Sequence, residues 1–175
     1  MDIFADLLKL LVPAGLVLYG MYLTVKLLLE REAEKQRVEL KTRYASEVTP
    51  LRLQAYERMA LFLERITPNN LLLRLSGQAA AALEFQQLLL REIREEYNHN
   101  VSQQIYMSQT VWESIQTAMN EVVILINEAA GEVAPDAPAL ELSKRIFDKI
   151  IQKDIQPTAG GLKAVKDEVQ SIFLS

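Results

Sequence analysis

The chain has 175 residues, 50% of them apolar and 24% charged, with a formal net charge of −4. This composition excludes a disordered chain and argues against a nucleic-acid-binding protein. The absence of cysteine excludes disulfides, thiolate metal sites and cysteine nucleophiles. The length suits one domain that buries a hydrophobic core, together with a small appendage.

The appendage is an apolar segment near the start of the chain. No charged residue occurs in Leu10–Val25, and extension to Leu29 adds only Lys26. A helix of about 20 residues spans about 30 Å, the thickness of the hydrocarbon core of a bilayer. The buried helix of a soluble protein would retain a polar stripe, and a cleaved signal peptide would begin with basic residues. We therefore predict a transmembrane anchor over residues 1–29.

A charged stretch follows over residues 30–48, with acidic and basic side chains at helical spacing, such as Glu39 and Arg43. We predict a solvated helical stalk there. Because lysine and arginine flank membrane helices mainly on the cytoplasmic side, we expect a single-pass membrane protein with the N-terminus outside and the C-terminal domain cytoplasmic. This orientation depends on Lys26, Arg31, Lys35, Arg37, Lys41 and Arg43, against Lys9 before the segment.

Small residues within the anchor offer a contact surface for another membrane helix. They are Ala14, Gly15, Gly20 and Thr24, of which the last two have the four-residue spacing of small residues at such interfaces.

Residues 49–175 predict a bundle of four or five helices. Thr49 and Pro50 have the form of a helix start, with a hydroxyl at the N-cap and proline at the first position. Thr67–Asn70 ends this helix, and Leu71–Leu75 is either a helical turn or an extended piece. A long helix is predicted from about Gln78 to Tyr97, then a turn at Asn98–Asn100. The predicted inner faces of the two long helices are Ala55, Met59, Phe62 and Ile66, and Ala79, Ala82, Leu83, Leu89, Ile93 and Tyr97.

Val101–Ser108 is predicted to be a connector, with Ser108 as the N-cap of a helix over Gln109–Ala130 and Gly131 at its end. Ala134–Pro138 is a proline-rich hinge before two further helices. The predicted inner faces are Trp112, Ile115, Met119, Val122 and Ile126; Leu140, Phe147, Ile150 and Ile151; and Leu162, Val165, Val169 and Ile172.

The only histidine, His99, leaves too few ligands for a di-iron site or for a nitrogen–sulfur zinc site. No Gly-x-Ser-x-Gly elbow, P-loop or Gly-x-Gly-x-x-Gly motif occurs. We therefore predict no catalytic residue, no cofactor and no metal site, and a protein that is not an enzyme.

The segment Glu95–Trp112 concentrates amides, aromatics and the histidine between two predicted helices. One interpretation, which we favour, is a buried polar network that fixes the turn and caps both helices. The other is a partner-binding surface, because aromatics and amides make good partner contacts; a catalytic role comes last. The residues of this polar patch are Glu95, Asn98, His99, Asn100, Gln103, Gln104, Tyr106 and Trp112.

The stretches LRLQAYERMALFLERITPNNLLLRL and LLREIREEYNHNVSQQIYMSQTVWESI resemble an uncharacterised bacterial family of single-span membrane-anchored proteins with a C-terminal helical domain of unknown function. The resemblance covers roughly Met1 to Asn127. It implies an anchor in a bacterial membrane, which we expect to be the inner membrane, and a helical domain. It implies no activity.

Our leading hypothesis is a non-enzymatic, membrane-anchored accessory subunit, adaptor or scaffold of a larger inner-membrane assembly. The expected partners are the lipid bilayer and other membrane protein subunits, or a second copy of the chain, and neither nucleic acid nor metal. One alternative is a self-assembling homo-oligomeric membrane protein. Another is a ligand-binding or enzymatic module that uses the Glu95–Trp112 segment.

Overall fold

A computed structural model describes the backbone of residues 2–173, and the side chains of residues 11–172 apart from 12, 41, 44 and 45. Lys9 and Lys41, which contribute to the expected orientation, therefore lie outside the described side chains. Over the described residues the fold is all-α, as the sequence predicts, with six α-helices and one 3₁₀ helix. The elements are α1 (Asp2–Ile66), α2 (Pro68–Leu75), α3 (Ala82–Asn100), the 3₁₀ helix (Val101–Tyr106), α4 (Gln109–Ala130), α5 (Ala139–Lys153) and α6 (Ala159–Phe173).

The residues group into two compact units, Met1–Thr49 and Pro50–Ser175. In the first unit, the apolar part of α1 has no packing partner among the described residues. Pro13–Leu40 is long and apolar enough to cross a membrane, and none of it is buried. A signal sequence near an N-terminus has the same properties. The single N-terminal apolar helix that the sequence predicts is therefore present and exposed.

The predicted helix start at Thr49 and Pro50 is wrong, because α1 continues through both residues. A proline inside a helix removes one backbone hydrogen bond, here the one that its nitrogen would donate to the carbonyl of Ser46, and its ring holds φ near the helical value. The helical sequence on both sides outweighs this local loss. Thr49–Pro50 is instead the boundary between the two compact units.

The second unit packs the last turns of α1 and the helices α2 to α6 around one hydrophobic core. The predicted inner face of α1 is confirmed, since Ala55, Met59, Phe62 and Ile66 are fully buried. Leu71–Leu75 is helical, as part of α2, which begins at Pro68 and buries its leucines Leu71, Leu72 and Leu75.

Helix α3 begins at Ala82 rather than Gln78 because the preceding residues pair with another loop. Ala82 N–H donates to the carbonyl of Ala137 at 2.8 Å, and Ala139 N–H donates to that of Ala80 at 2.9 Å. The buried face of α3 contains Ala82, Phe85, Leu89 and Ile93, so the prediction that Leu83 points inward is wrong.

Helix α4 spans Gln109–Ala130 as predicted, with the hydroxyl of Ser108 accepting a hydrogen bond from the N–H of Val111 at 3.3 Å. The turn predicted at Asn98–Asn100 is wrong, because α3 extends through these residues into the 3₁₀ helix.

The inward orientation predicted for Leu140, Ile151 and Ile172 is also wrong, since all three are exposed. Helix α5 buries Leu142 and Ile146 instead, which shifts its inner face around the helix.

Candidate functional site

The polar patch predicted from the sequence divides by burial rather than forming one network. Its exposed members are Glu95, Asn98, His99 and Gln104, its half-buried members are Gln103 and Tyr106, and its buried members are Asn100 and Trp112. The structure therefore places part of the patch in the core and part on the surface.

Trp112 belongs to an aromatic cluster in the core. Its ring centroid lies 5.7 Å from that of Tyr97, which in turn lies 6.0 Å from that of Phe62. The Nε2 of Gln116 donates a hydrogen bond of 3.1 Å to the Tyr97 hydroxyl, so the one polar atom of this ring is satisfied. These spacings are typical of aromatic pairs that stabilise a core. Trp112 therefore joins α1, α3 and α4.

Asn100 ends α3 and is only 4% exposed. Its Nδ2 donates to the carbonyl of Glu96, one turn back in the same helix, at 2.9 Å. The buried amide nitrogen is therefore satisfied within the last turn of α3, where the chain tightens into the 3₁₀ helix.

Two members of the patch, the exposed His99 and the buried Asn100, line a groove of about 380 Å³ between the end of α3 and α1. We call it the His99 groove. Its lining combines charged, amide and apolar side chains: Gln54, Glu57, Arg58, Leu61, Glu96, His99 and Asn100. The carboxylate of Glu96 also lies 3.0 Å from the Nε of Arg65. A groove of this lining is suited to a polar partner surface with one apolar contact.

A second polar cluster, which sequence reasoning missed, surrounds Glu168 on α6. The carboxylate of Glu168 accepts hydrogen bonds from the Tyr56 hydroxyl and from the hydroxyl of Ser108, and from the Ser108 N–H at 2.9 Å. The Nε of Arg52 donates to the Tyr106 carbonyl at 3.1 Å beside this cluster. Together these bonds tie α1, the 3₁₀ helix, α4 and α6.

The contacts within the cluster also shift the pKa values of Glu168 and Tyr56. Burial alone would raise the pKa of Glu168, but hydrogen bonds from Ser108 and Tyr56 and the nearby charge of Arg52 outweigh it, so the pKa lies below its ordinary value. Burial, and then the hydrogen bond to Glu168, raises the pKa of Tyr56. The carboxylate is therefore ionised and the phenol neutral at neutral pH. This arrangement holds charge in place rather than offering a proton for transfer.

Only one member of the Glu168 cluster had a sequence signal. Ser108 was identified as a helix N-cap from the residues around it. Glu168 lies sixty positions further along the chain, and nothing in its neighbourhood distinguishes it from other charged residues of a solvated helix.

Metal-ligating side chains do not converge anywhere in the described part of the chain, since no group of three or more histidine, cysteine, aspartate or glutamate side chains is found there. His99 shares its groove with Glu57 and Glu96, but the three do not form such a group.

The small residues of the anchor, Ala14, Gly15, Gly20 and Thr24, are all exposed. The Thr24 hydroxyl donates to the Gly20 carbonyl at 2.8 Å, which satisfies it within the helix. A Cβ added at Gly15 or Gly20 would meet nothing within 4 Å. Among the described residues, no side chain therefore blocks the approach of another helix at Gly15 and Gly20.

No curated protein and no solved structure matches the chain. The profile of one protein family matches residues 2–172, nearly the whole chain. The helical domain, the apolar helix before it and both polar clusters fall within the matched residues. The chain therefore belongs to the Family of unknown function (DUF7935).

Proposed function

We propose that the protein is a non-enzymatic, membrane-anchored accessory subunit, adaptor or scaffold of a larger inner-membrane assembly. The observation that carries the proposal is the exposed apolar stretch of α1, which continues in the same helix to the packed second unit. A chain of this kind has a lipid-compatible end and a folded end that is available to partners. The bundle then acts by binding rather than by chemistry.

The anchor follows from the exposure of large apolar side chains. Leu16, Val17 and Leu18 are 67%, 70% and 67% exposed, although burying one such side chain is worth about 1.5–3 kcal/mol. A run of such residues is unfavourable in water, and a bilayer of about 30 Å matches the length of about 20 helical residues. Lipid is the environment that removes this cost along the whole run.

The orientation follows from the charges after the apolar stretch. Arg31, Lys35, Arg37 and Arg43 all follow Leu29, the last residue of the run from Leu10 in which Lys26 is the only charged residue. The side of a membrane helix that is rich in lysine and arginine is normally cytoplasmic. The bundle is therefore proposed to lie in the cytoplasm of a bacterial cell, with the chain crossing the inner membrane once.

Membrane extraction tests the anchor and separates it from a cleaved signal sequence. Membranes are washed with alkaline carbonate, and the retained protein is weighed intact by mass spectrometry. An anchor predicts that the chain stays in the pellet at full mass. Recovery in the wash, or a mass that lacks the apolar stretch, contradicts the proposal.

Photo-crosslinking in native membranes tests the adaptor role at the His99 groove. A photoreactive residue replaces Leu61, which lines the groove and is 56% exposed. The matched control replaces Leu140, which is similarly exposed on α5. A discrete protein adduct at Leu61 and none at Leu140 supports a partner at the groove. Equal, diffuse labelling at both positions contradicts it.

The alternative is self-assembly through the anchor, and the open space at Gly15 and Gly20 favours it. Close approach at small residues lets membrane helices pack backbone to backbone. Light scattering of the purified protein measures the mass of the assembly. A Gly20→Leu substitution would reduce an oligomer to a monomer, whereas a wild-type protein that is already monomeric contradicts this alternative.

A further inference from the structure

A second cavity, lined by none of the predicted site residues, lies between the start of α2 and the loop that joins α5 to α6. Its volume is about 310 Å³. An engineered cavity of roughly 150 Å³ holds benzene, so the space here suits a molecule somewhat larger than a single ring. We call it the threonine cavity, after Thr67 and Thr158, which both line it.

The walls of the threonine cavity are mainly apolar. Phe147 and Ile150 of α5, Ile155 of the following loop and Leu162 of α6 line it, and each of them is a half-buried side chain packed against the hydrophobic core. Such side chains have one face in the core and one face free. An apolar molecule in the cavity would cover the free faces, which is the favourable term in most small-molecule sites.

The two threonines supply the polar end of this cavity. The Thr67 hydroxyl donates to the Leu63 carbonyl at 2.9 Å and lies 2.8 Å from the Thr158 hydroxyl. A hydroxyl has one proton, and that of Thr67 is used on Leu63. Thr158 must therefore donate to Thr67, and its own oxygen accepts no hydrogen bond among those found in the described residues. Thr158 is 4% exposed, so bulk water reaches it poorly.

We propose that the threonine cavity binds a small amphiphile, an apolar molecule with one hydroxyl group whose O–H donates to the Thr158 oxygen. The apolar body lies against the walls of α5 and α6, and the hydroxyl completes the hydrogen bonding of the threonine pair. A ligand of the same shape without a donor lacks this hydrogen bond and therefore binds less tightly. The site is independent of the membrane anchor and of the His99 groove.

The lack of cysteine in the chain allows a disulfide-exchange test on the full-length protein in lipid nanodiscs. A single cysteine is introduced by Gln156→Cys, at an exposed residue that lines the cavity. The matched control is Gln152→Cys, an exposed residue of α5 that does not line it. Each protein is equilibrated with the symmetrical disulfide of mercaptohexanol or of its methyl ether, in competition with mercaptoethanol, so that the cysteine thiolate attacks the disulfide and releases one thiol, and the adducts are counted by intact mass. Partition of the thiols into lipid affects both cysteines alike.

The proposal predicts that mercaptohexanol is captured roughly fivefold better than its ether at Gln156→Cys, in line with one net hydrogen bond, and equally well at Gln152→Cys. Adding Thr158→Val, which replaces the hydroxyl by a methyl group, should remove the preference, and Thr158→Ser should retain it. Equal capture of alcohol and ether at Gln156→Cys overturns the proposal without recourse to the threonine variants. A preference that survives Thr158→Val in a folded protein overturns the assigned acceptor.

Discussion

Glu168 on α6 accepts hydrogen bonds from both the backbone N–H and the hydroxyl of Ser108, the residue that caps α4. One carboxylate therefore fixes the start of a helix sixty residues away and holds the last helix against it. The Tyr56 hydroxyl donates to the same carboxylate from α1. The cap of α4 and the packing of α6 thus depend on the same carboxylate, and loss of the negative charge of Glu168 should weaken both.

Replacing Glu168 by glutamine should lower the free energy of unfolding by about 1 kcal/mol, because charge-assisted hydrogen bonds become neutral and the new amide nitrogen cannot accept. Urea unfolding followed by circular dichroism measures this change. Asp167→Asn is the matched control, since Asp167 is exposed and pairs with Lys163 one turn away. An equal loss in both variants would show that Glu168 has no special role.

The contribution of Glu168 should depend on pH in a defined direction. Its pKa in the folded protein lies below the ordinary value of 4.5, so the ionised form is favoured by folding. The stabilisation is complete above the unfolded-state pKa and is lost as the pH falls from there through the folded-state pKa. Tyr56, whose pKa is raised, stays protonated throughout this range.

The difference in unfolding free energy between wild type and Glu168→Gln is therefore expected to be constant near neutral pH and to shrink below a pH of about 4.5. Subtraction of the two unfolding curves removes the effect of Glu128 and Glu132, whose pKa values are also lowered, mainly by hydrogen bonds from Lys153 and Lys149. A difference that grows toward acid pH would reverse the assigned sign.

Local signals were sufficient for some elements of this fold and insufficient for others. The cap at Ser108 and the apolar stripe of α4 are encoded within one helix and its flanks, and both bounds of that helix were predicted. The continuity of α1 through Pro50 depends on helical sequence on both sides, which outweighs the two residues that resemble a start. The inward orientation predicted for Leu83 and Leu140 was wrong because apolar residues lie on more than one side of α3 and α5. Packing against the other helices determines which of these sides is buried.

The candidate sites show the same limit. His99 and Trp112 are close in sequence, and composition alone grouped them, but the first is on the surface and the second is in the core. The Glu168 cluster and the threonine cavity each join residues that are far apart in the chain, such as Thr67 and Thr158. No periodicity or motif connects such pairs before the helices have packed.

The two kinds of patch residue should respond differently to truncation. Trp112→Ala removes the ring that stacks on Tyr97 and should cost about 3–5 kcal/mol of stability, as for other buried aromatic residues. His99→Ala, at an exposed position, should change stability by less than about 0.5 kcal/mol. Thermal unfolding followed by circular dichroism separates them. A large loss for His99→Ala would give this residue a structural role.

A charge within the apolar stretch should prevent stable membrane association. Leu18→Arg places a charge at an exposed apolar position, where arginine in the centre of a membrane helix costs about 2.5–3.5 kcal/mol on insertion scales. Val38→Arg is the control, on the same helix but among charged residues. Carbonate extraction should release a larger fraction of Leu18→Arg than of Val38→Arg. Identical retention of the two variants would show that the stretch around Leu18 does not lie in lipid.

Gly161 lies where α6 approaches its neighbours closely. A Cβ there would lie 3.1 Å from the Cβ of Ala118, 3.2 Å from the Cδ1 of Leu63 and 3.3 Å from the carbonyl oxygen of Ser114. Gly161→Ala should therefore push α6 outward and cost about 1–3 kcal/mol, the usual range for overpacking.

The adjacent glycine provides a matched control for this substitution. A Cβ at Gly160 meets nothing within 4 Å, and Gly160→Ala reduces the freedom of the unfolded chain at a helical position, which should stabilise the protein by about 0.4–1 kcal/mol. Urea unfolding of the two alanine variants should thus give changes of opposite sign. If both substitutions stabilise the protein, α6 is not packed against α1 and α4 at Gly161.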